Sequence, residues 1–239
     1  MSVGRVVQYL KDCLFPVFCL GCKQEGQWWC DKCLLKVEVG VFCCPVCHSE
    51  NNNGQACEKC KAVNALNGVA AFFNYDEQST VGQLIKQFKY QFAYDINQVW
   101  KKVIDLYLEK IIFKMGVNST APVIIPVPLH QKRQRERGFN QAELIAKSVY
   151  DCLNKNWSVT LNSQGLQRQR FTKQQAKLTR PERIKNLTGA FVWKNQQPPG
   201  KNIILIDDVY TSGSTMNECA VVLKKAGANK VFGLTIARD

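Results

Sequence analysis

Ile203-Ile204-Leu205-Ile206-Asp207-Asp208-Val209-Tyr210-Thr211-Ser212-Gly213-Ser214-Thr215 is the stretch on which the fold turns. Four consecutive apolar residues, ended by two acids, read as a short strand buried on both faces, the habit of a parallel sheet with helices on each side. In open α/β sheets ligands sit beyond the carboxyl ends of such strands. The segment from Thr211 through Ser212, Gly213 and Ser214 to Thr215 can turn its amides and hydroxyls inward, with the positive end of the next helix behind it. Gly213 permits positive φ or close backbone approach. The result is an anion cradle sized for one phosphate.

Asp207 and Asp208 would gain nothing beside a bare phosphate. They make sense if the ligand also brings hydroxyls that need acceptors, or a divalent cation, and a sugar phosphate with magnesium brings both. A capped strand-to-helix turn explains one polar residue but not the whole cluster. Neither G-x-x-x-x-G-K-[ST] nor G-x-G-x-x-G occurs.

Outward from this stretch, strands and helices alternate. Strands are expected at Val69–Tyr75, Val123–Val127, Gly189–Trp193, Ile203–Asp207 and Lys230–Ile236. Helices are expected at Thr80–Tyr90, Ile96–Phe113, Asn140–Leu153 and Ser214–Ala226. That order implies an α/β fold with a mainly parallel sheet covered on both faces. Between Pro128 and Asn140 lie Arg133, Arg135 and Arg137, read as a loop of close-set cations, and guanidinium groups suit bidentate contact with phosphate oxygens. Arg133 and Arg137 are expected to face a pyrophosphate; Arg135 reads equally as surface coat, and His130 equally as loop packing or chemistry. Residues 162–186 hold seven basic residues, one acid and no sustained apolar period. A long polar stretch of this kind is often a lid, here carrying Arg168, Arg170, Lys173 and Arg183, and it reads equally as a segment lying along a nucleic-acid backbone.

Asp207 to Thr215 resembles the signature D-D-x-x-[TS]-[TS]-G-x-T of the type I phosphoribosyltransferase fold. The run Pro126-Val127-Pro128-Leu129-His130, with Arg133, Arg135 and Arg137-Gly138-Phe139-Asn140-Gln141-Ala142, is similar to an element of the ComF (competence protein F) family. Arg168, Arg170, Thr172, Gln175, Leu178, Arg183, Asn186-Leu187 and Gly189-Ala190-Phe191 resemble that family's mobile loop, and Lys86, Lys89 and Tyr90 its short basic helix. The resemblance implies that Asp207 and Asp208 hold ribose hydroxyls and that Thr211, Ser212, Gly213 and Thr215 hold the 5-phosphate of phosphoribosyl pyrophosphate, bound with Mg2+. It assigns no catalytic residue.

Ten of the twelve cysteines fall within residues 13–60, and eight form four C-x-x-C pairs: Cys19/Cys22, Cys30/Cys33, Cys44/Cys47 and Cys57/Cys60. Four pairs supply two tetrahedral all-thiolate Zn2+ sites, which are structural. A segment this short is not expected to fold without them. Pairing first with second and third with fourth keeps loops local, while a cross-braced arrangement stays open. The resemblance suggests a double zinc ribbon. Cys44-Pro45-Val46-Cys47-His48 also fits a haem attachment pattern, but the flanking pairs favour zinc. Cys13 and Cys43 are spare; Cys152 and Cys219 read as core thiols. The expected domains are a zinc-ribbon module over 1–66 and a phosphoribosyltransferase-like domain over 67–239.

The formal charge is +13, and residues 130–186 alone carry 13 basic and four acidic residues. Such a field attracts polyanions, phosphorylated small molecules and nucleic acid alike. No transmembrane span is visible, and the apolar positions of Met1–Cys22 fit a short amphipathic helix better than a signal peptide, which implies a cytoplasmic protein.

Three functions follow. The first takes what the resemblance implies: a competence protein that retains a phosphoribosyl pyrophosphate site and accompanies internalised single-stranded DNA in natural transformation. In that case Phe88, Tyr90, Phe139 and Phe171 are candidate base-stacking rings, with core packing the alternative that suits most of them. The second is a metabolic phosphoribosyltransferase acting on a nucleobase or other small nucleophile, though residues 67–114 are not diagnostic of a base-selecting hood. The third is a zinc-dependent adaptor for a partner such as a DNA-uptake helicase, with the α/β domain as ligand sensor.

Overall fold

The computed structural model describes residues 16–90, 93–117, 121–171 and 186–239. Residues 203–206 form the buried middle of strand β7 (Asn202–Tyr210), which runs parallel to β8 (Lys230–Arg238) on one side and β3 (Val123–Pro126) on the other. Beyond β8 lies β2 (Gly68–Asn74), also parallel, and beyond β3 the short β4 (Thr160–Leu161). β1 (Val41–Cys43), which follows the short helix α1 (Asp31–Leu34), adds antiparallel to β2, so the sheet order is β1-β2-β8-β7-β3-β4.

Alternation along β7 builds two cores. Ile204 and Ile206 enter one with Phe232, Leu234 and Ile124, closed by α2 (Thr80–Tyr90), α3 (Ala93–Lys114) and α5 (Gln141–Leu153). Ile203 and Leu205 enter the other with Val231, Ile125 and Val69, closed by Met216, Cys219, Ala220 and Leu223 of α6 (Ser214–Lys225). All four residues of Ile203–Ile206 are fully buried, each contributing about 1.5–3 kcal/mol. Gly233 lets α6 settle on the sheet, since a Cβ there would lie 2.8 Å from Met216 Sδ. The expected core thiols Cys152 and Cys219 are buried, and so is Cys43.

Three segments depart from expectation. The cation-rich stretch after β3 is a helix, α4 (Gln131–Arg137), not a loop. It has no buried residue and therefore no apolar period to read. Its ends are fixed instead: His130 Nδ1 accepts from the Lys132 amide at 3.2 Å, and Gly138, at φ 81°, donates its amide to Gln134 O. Within the polar 162–186 stretch, β5 (Leu166–Arg168) pairs antiparallel with β6 (Phe191–Trp193). The cysteine-rich start contributes β1 to the main sheet, so its backbone is hydrogen-bonded to the α/β core. Residues 1–15 of the expected amphipathic helix lie outside the described residues, while residues 16–22 form the first cysteine knuckle. Among the described residues no helix is long and apolar enough to cross a membrane.

Candidate ligand site and metal centres

The carboxyl end of β7 opens into a small concavity lined by Asp207, Tyr210 and the turn into α6, where Thr211, Ser212, Gly213, Ser214 and Thr215 come together. Gly213 stands at φ 70°, and a Cβ on it would meet Tyr210 Oη at 2.1 Å. Only glycine fits there, for conformational and steric reasons at once. Ser212 Oγ lies 3.0 Å from Ser214 Oγ, and the Asn217 amide donates to Gly213 O at 2.9 Å to start the helix.

Behind the turn stand the two acids. Asp208 Oδ1 accepts from the Val209 amide at 2.8 Å, and Lys89 Nζ of α2 sits 3.0 Å from Asp208 Oδ2. Burial by itself would lower the Lys89 pKa, but the charges of Asp208 and Asp207 outweigh it and raise it. Asp207 Oδ1 accepts from the Asp208 amide at 2.9 Å. Asp207 is half-buried at the edge of the concavity. Desolvation, followed by the Asp208 charge, pushes its pKa up to about 8 against the pull of Lys89.

Three of the predicted arginines are neighbours in charge, and Arg168 and Arg137 link the group to Asp207 and to Lys89. Arg137 Nη1 donates to Gln141 Oε1 at 3.2 Å, Gln141 Nε2 donates to Lys89 O at 3.4 Å, and the Arg137 charge acts on Lys89. Arg133 has its pKa lowered by burial and then by Arg137, with Glu136 opposing. Arg168 is buried with its guanidinium 5.2 Å over the Phe191 ring; burial and then Arg133 lower its pKa, while Cys219 and Asp207 oppose. Arg170 stands apart, with Nη2 donating to Asn186 O and Thr188 O at 3.0 and 2.8 Å. Arg183, Thr172, Lys173, Gln175 and Leu178 lie outside the described residues. The pairing of Lys89 with Asp208 was not read from sequence, although a signal existed: Lys89 follows Ile85 by four residues on an otherwise apolar helix face. Gln141, buried at the start of α5, carried no such signal.

The thiolates gather into two groups, Cys19, Cys22, Cys30 and Cys33, and Cys44, Cys47, Cys57 and Cys60, the ligand atoms of each within 4.8 Å of one another. This is the sequential pairing. A tetrahedral zinc with Zn–S near 2.3 Å requires sulfur–sulfur spacings of about 3.8 Å. Cys22–Cys30, Cys44–Cys57 and Cys47–Cys57 stand at 3.6, 3.8 and 3.9 Å. Backbone amides add N–H···S bonds, Cys30 N to Cys19 Sγ at 3.4 Å and Cys57 N to Cys44 Sγ at 3.5 Å. Both groups fit structural zinc, and Cys44 and Cys47 are accounted for without haem. His48 is outside the thiolate set; its carbonyl accepts from Arg238 Nη2 at 2.8 Å and its ring lies 5.8 Å from that of Tyr210.

No family model matches the chain. Competence protein F of Haemophilus influenzae is 31% identical over 222 residues, covering 87% of this chain and 90% of that protein. DNA utilization protein YhgH of Escherichia coli (strain K12) is 30% identical over 227 residues, covering 90% and 94%. Competence protein ComFC of Bacillus subtilis is 27% identical over 219 residues, covering 88% and 84%.

Proposed function

The chain belongs to the competence protein F (ComF) family, and from that premise we propose that it binds phosphoribosyl pyrophosphate with Mg2+ at the end of β7 and assists the handling of internalised single-stranded DNA in the cytoplasm during natural transformation. The observation that carries the ligand is the pairing of opposites: two adjacent carboxylates next to a hydroxyl-lined turn, met by Lys89 and Arg168, with Arg137 and Arg133 beside those two cations. A phosphate alone offers Asp207 and Asp208 nothing to accept from, whereas a ribose offers them hydroxyl donors. The 5-phosphate goes to Thr211–Thr215 and the pyrophosphate to the arginines. The carboxylate pair also suits Mg2+, which when bound would neutralise part of the pyrophosphate charge. We read residues 1–66 as the zinc module and 67–239 as the ligand-binding domain.

The names of the relatives, competence protein F and DNA utilization protein, support the DNA role. Of the candidate stacking rings, Phe88 is fully buried and Phe139 is half-buried 6.2 Å from it, so both serve the core. Tyr90's side chain lies outside the described residues. Phe171 is 47% exposed, with the His130 ring at 5.2 Å, Lys132 Nζ at 5.1 Å and the Arg133 guanidinium at 5.7 Å from its centroid. An exposed ring among cations is the pairing that single strands use, with bases stacked and phosphates neutralised.

Titration calorimetry with phosphoribosyl pyrophosphate and Mg2+ tests the ligand. Binding by the wild type and its loss in Asp207→Ala/Asp208→Ala is expected. A folded, zinc-loaded wild type that takes up no ligand would refute the reading.

A further inference from the structure

Tyr210 and Arg238 are register partners on the parallel strands β7 and β8, and both reach the same cysteine knuckle. Tyr210 Oη donates to the Pro45 carbonyl at 2.9 Å, a buried bond between residues 165 positions apart. Arg238 Nη2 donates to the His48 carbonyl at 2.8 Å, and Arg238 Nη1 lies 3.7 Å from Glu50 Oε1. Pro45 follows Cys44 and His48 follows Cys47, so the knuckle that offers two thiolates to the second metal group is pinned at both ends over the carboxyl edge of the sheet. On its other side, the Tyr210 hydroxyl occupies the space that a Gly213 side chain would need. One oxygen thus touches the metal knuckle and the turn of the anion cradle.

We propose that the second cysteine group is a positioning element of the ligand site, acting through Pro45 and Tyr210 on the Gly213 turn. Metal held by Cys44 and Cys47 fixes the intervening backbone and with it the direction of the Pro45 carbonyl. Pro45, whose ring restricts φ, offers a rigid acceptor. The bond locks Tyr210 in one rotamer, and its ring and hydroxyl hold the turn at Gly213 in the left-handed conformation that aims Thr211–Thr215 at an anion. A site held in its bound shape loses less entropy when ligand arrives. The first cysteine group has different attachments: Trp29 packs 5.3 Å from Phe73, and Asp31 is ion-paired with Lys102 of α3. It anchors the module to the opposite core, so the two groups have different effects on the cradle.

This inference rests on the phosphate-binding reading of the turn, and its test separates the two. The full-length, zinc-loaded protein is compared with Tyr210→Phe, which keeps the ring and deletes only the hydroxyl. Zinc content, amide exchange over residues 211–217 and titration with phosphoribosyl pyrophosphate and Mg2+ are measured. Expected are two zinc ions in both proteins, exchange faster by about fivefold in the variant, and affinity weaker by about the same factor, the worth of one hydrogen bond. In a second pair, Cys47→Ser accelerates exchange at 211–217 more than Cys22→Ser does, any general loss of stability being common to both. Unaltered exchange and affinity in Tyr210→Phe would overturn the proposal, as would equal acceleration by the two cysteine variants. A wild type that ignores the ligand while its turn still loosens in Tyr210→Phe would sink the ligand reading and leave the positioning role standing.

Discussion

Lys89 Nζ lies 3.0 Å from Asp208 Oδ2, so the acid pair at the end of β7 has a protein cation of its own, supplied by α2. Both side chains are largely buried, and removing one partner of such a pair leaves a desolvated charge. Lys89→Met is expected to destabilise by about 2 kcal/mol near pH 8, below the roughly 3–5 kcal/mol of fully buried pairs because solvent reaches part of both groups. The variant also loses a charge that holds the Asp207 pKa down. An acid whose pKa rises on folding loses stability as pH climbs from its unfolded value through its folded one. The deficit should therefore shrink toward pH 4. Urea unfolding at pH 4.5 and 8 measures it, and a deficit independent of pH would contradict the electrostatic account.

Asp207, with its pKa pushed to about 8, is mainly protonated at neutral pH. Ribose hydroxyl donors and Mg2+ both favour the carboxylate, so binding should release a proton below pH 8. Affinity is expected to rise by up to about tenfold per pH unit toward 8 and to level off above it. Calorimetry in buffers of different ionisation enthalpy counts the protons. Asp207→Asn should abolish both the release and the slope; a slope that survived would assign it to another group.

The wild type should hold two zinc ions per chain, and Cys22→Ser or Cys47→Ser about one each. Structural thiolate sites contribute on the order of 10 kcal/mol in small zinc domains at neutral pH. Here the loss should spread, because Val41–Cys43 pairs with Ala71–Val69 and Trp29 packs on Phe73. Chelation is therefore expected to lower the melting temperature of the whole chain rather than produce a separate early transition. Two resolved transitions would mean that the module unfolds independently of the sheet.

How much was legible depended on how local the determining contacts are. Ile203–Ile206 announced a strand because burial on both faces leaves no polar position, and Val81, Leu84, Ile85 and Phe88 announced α2 by their spacing. Gln131–Arg137 gave no such signal, since a helix without a buried face writes only its caps, His130 and Gly138, into the sequence. Val41–Cys43 and Leu166–Arg168 are three residues each and become strands by pairing with Val69–Ala71 and Phe191–Trp193. The thiolate grouping followed from short loops, but the hydrogen bond from Tyr210 to Pro45 joins the two ends of the chain and has no local trace. The aspartates and the hydroxylated turn were visible as residue types. Their electrostatic setting depends on Lys89, Gln141 and Arg168, which only the folded chain brings near.

Phe171 provides the test of the proposed DNA surface. Its ring is the exposed one among the described candidates, and its cationic neighbours come from the first turn of α4. Stacking is worth about 1–3 kcal/mol per base, so Phe171→Ala should weaken binding of a short single-stranded oligonucleotide by roughly five- to 150-fold. The salt dependence should change little, because no phosphate contact is lost. Lys132→Ala should do the reverse, weakening binding modestly and reducing the log–log salt slope by about 0.7, the value for one phosphate on a single strand. Neither substitution removes Arg133, Arg137 or the Thr211–Thr215 turn, so phosphoribosyl pyrophosphate affinity should fall far less than oligonucleotide affinity, by no more than Arg133 loses with its Phe171 contact. Fluorescence anisotropy across a salt series reads the slope and the loss together. If Phe171→Ala bound as tightly as the wild type, the ring would belong to the packing of α4, and the single strand would have to lie elsewhere on the basic face.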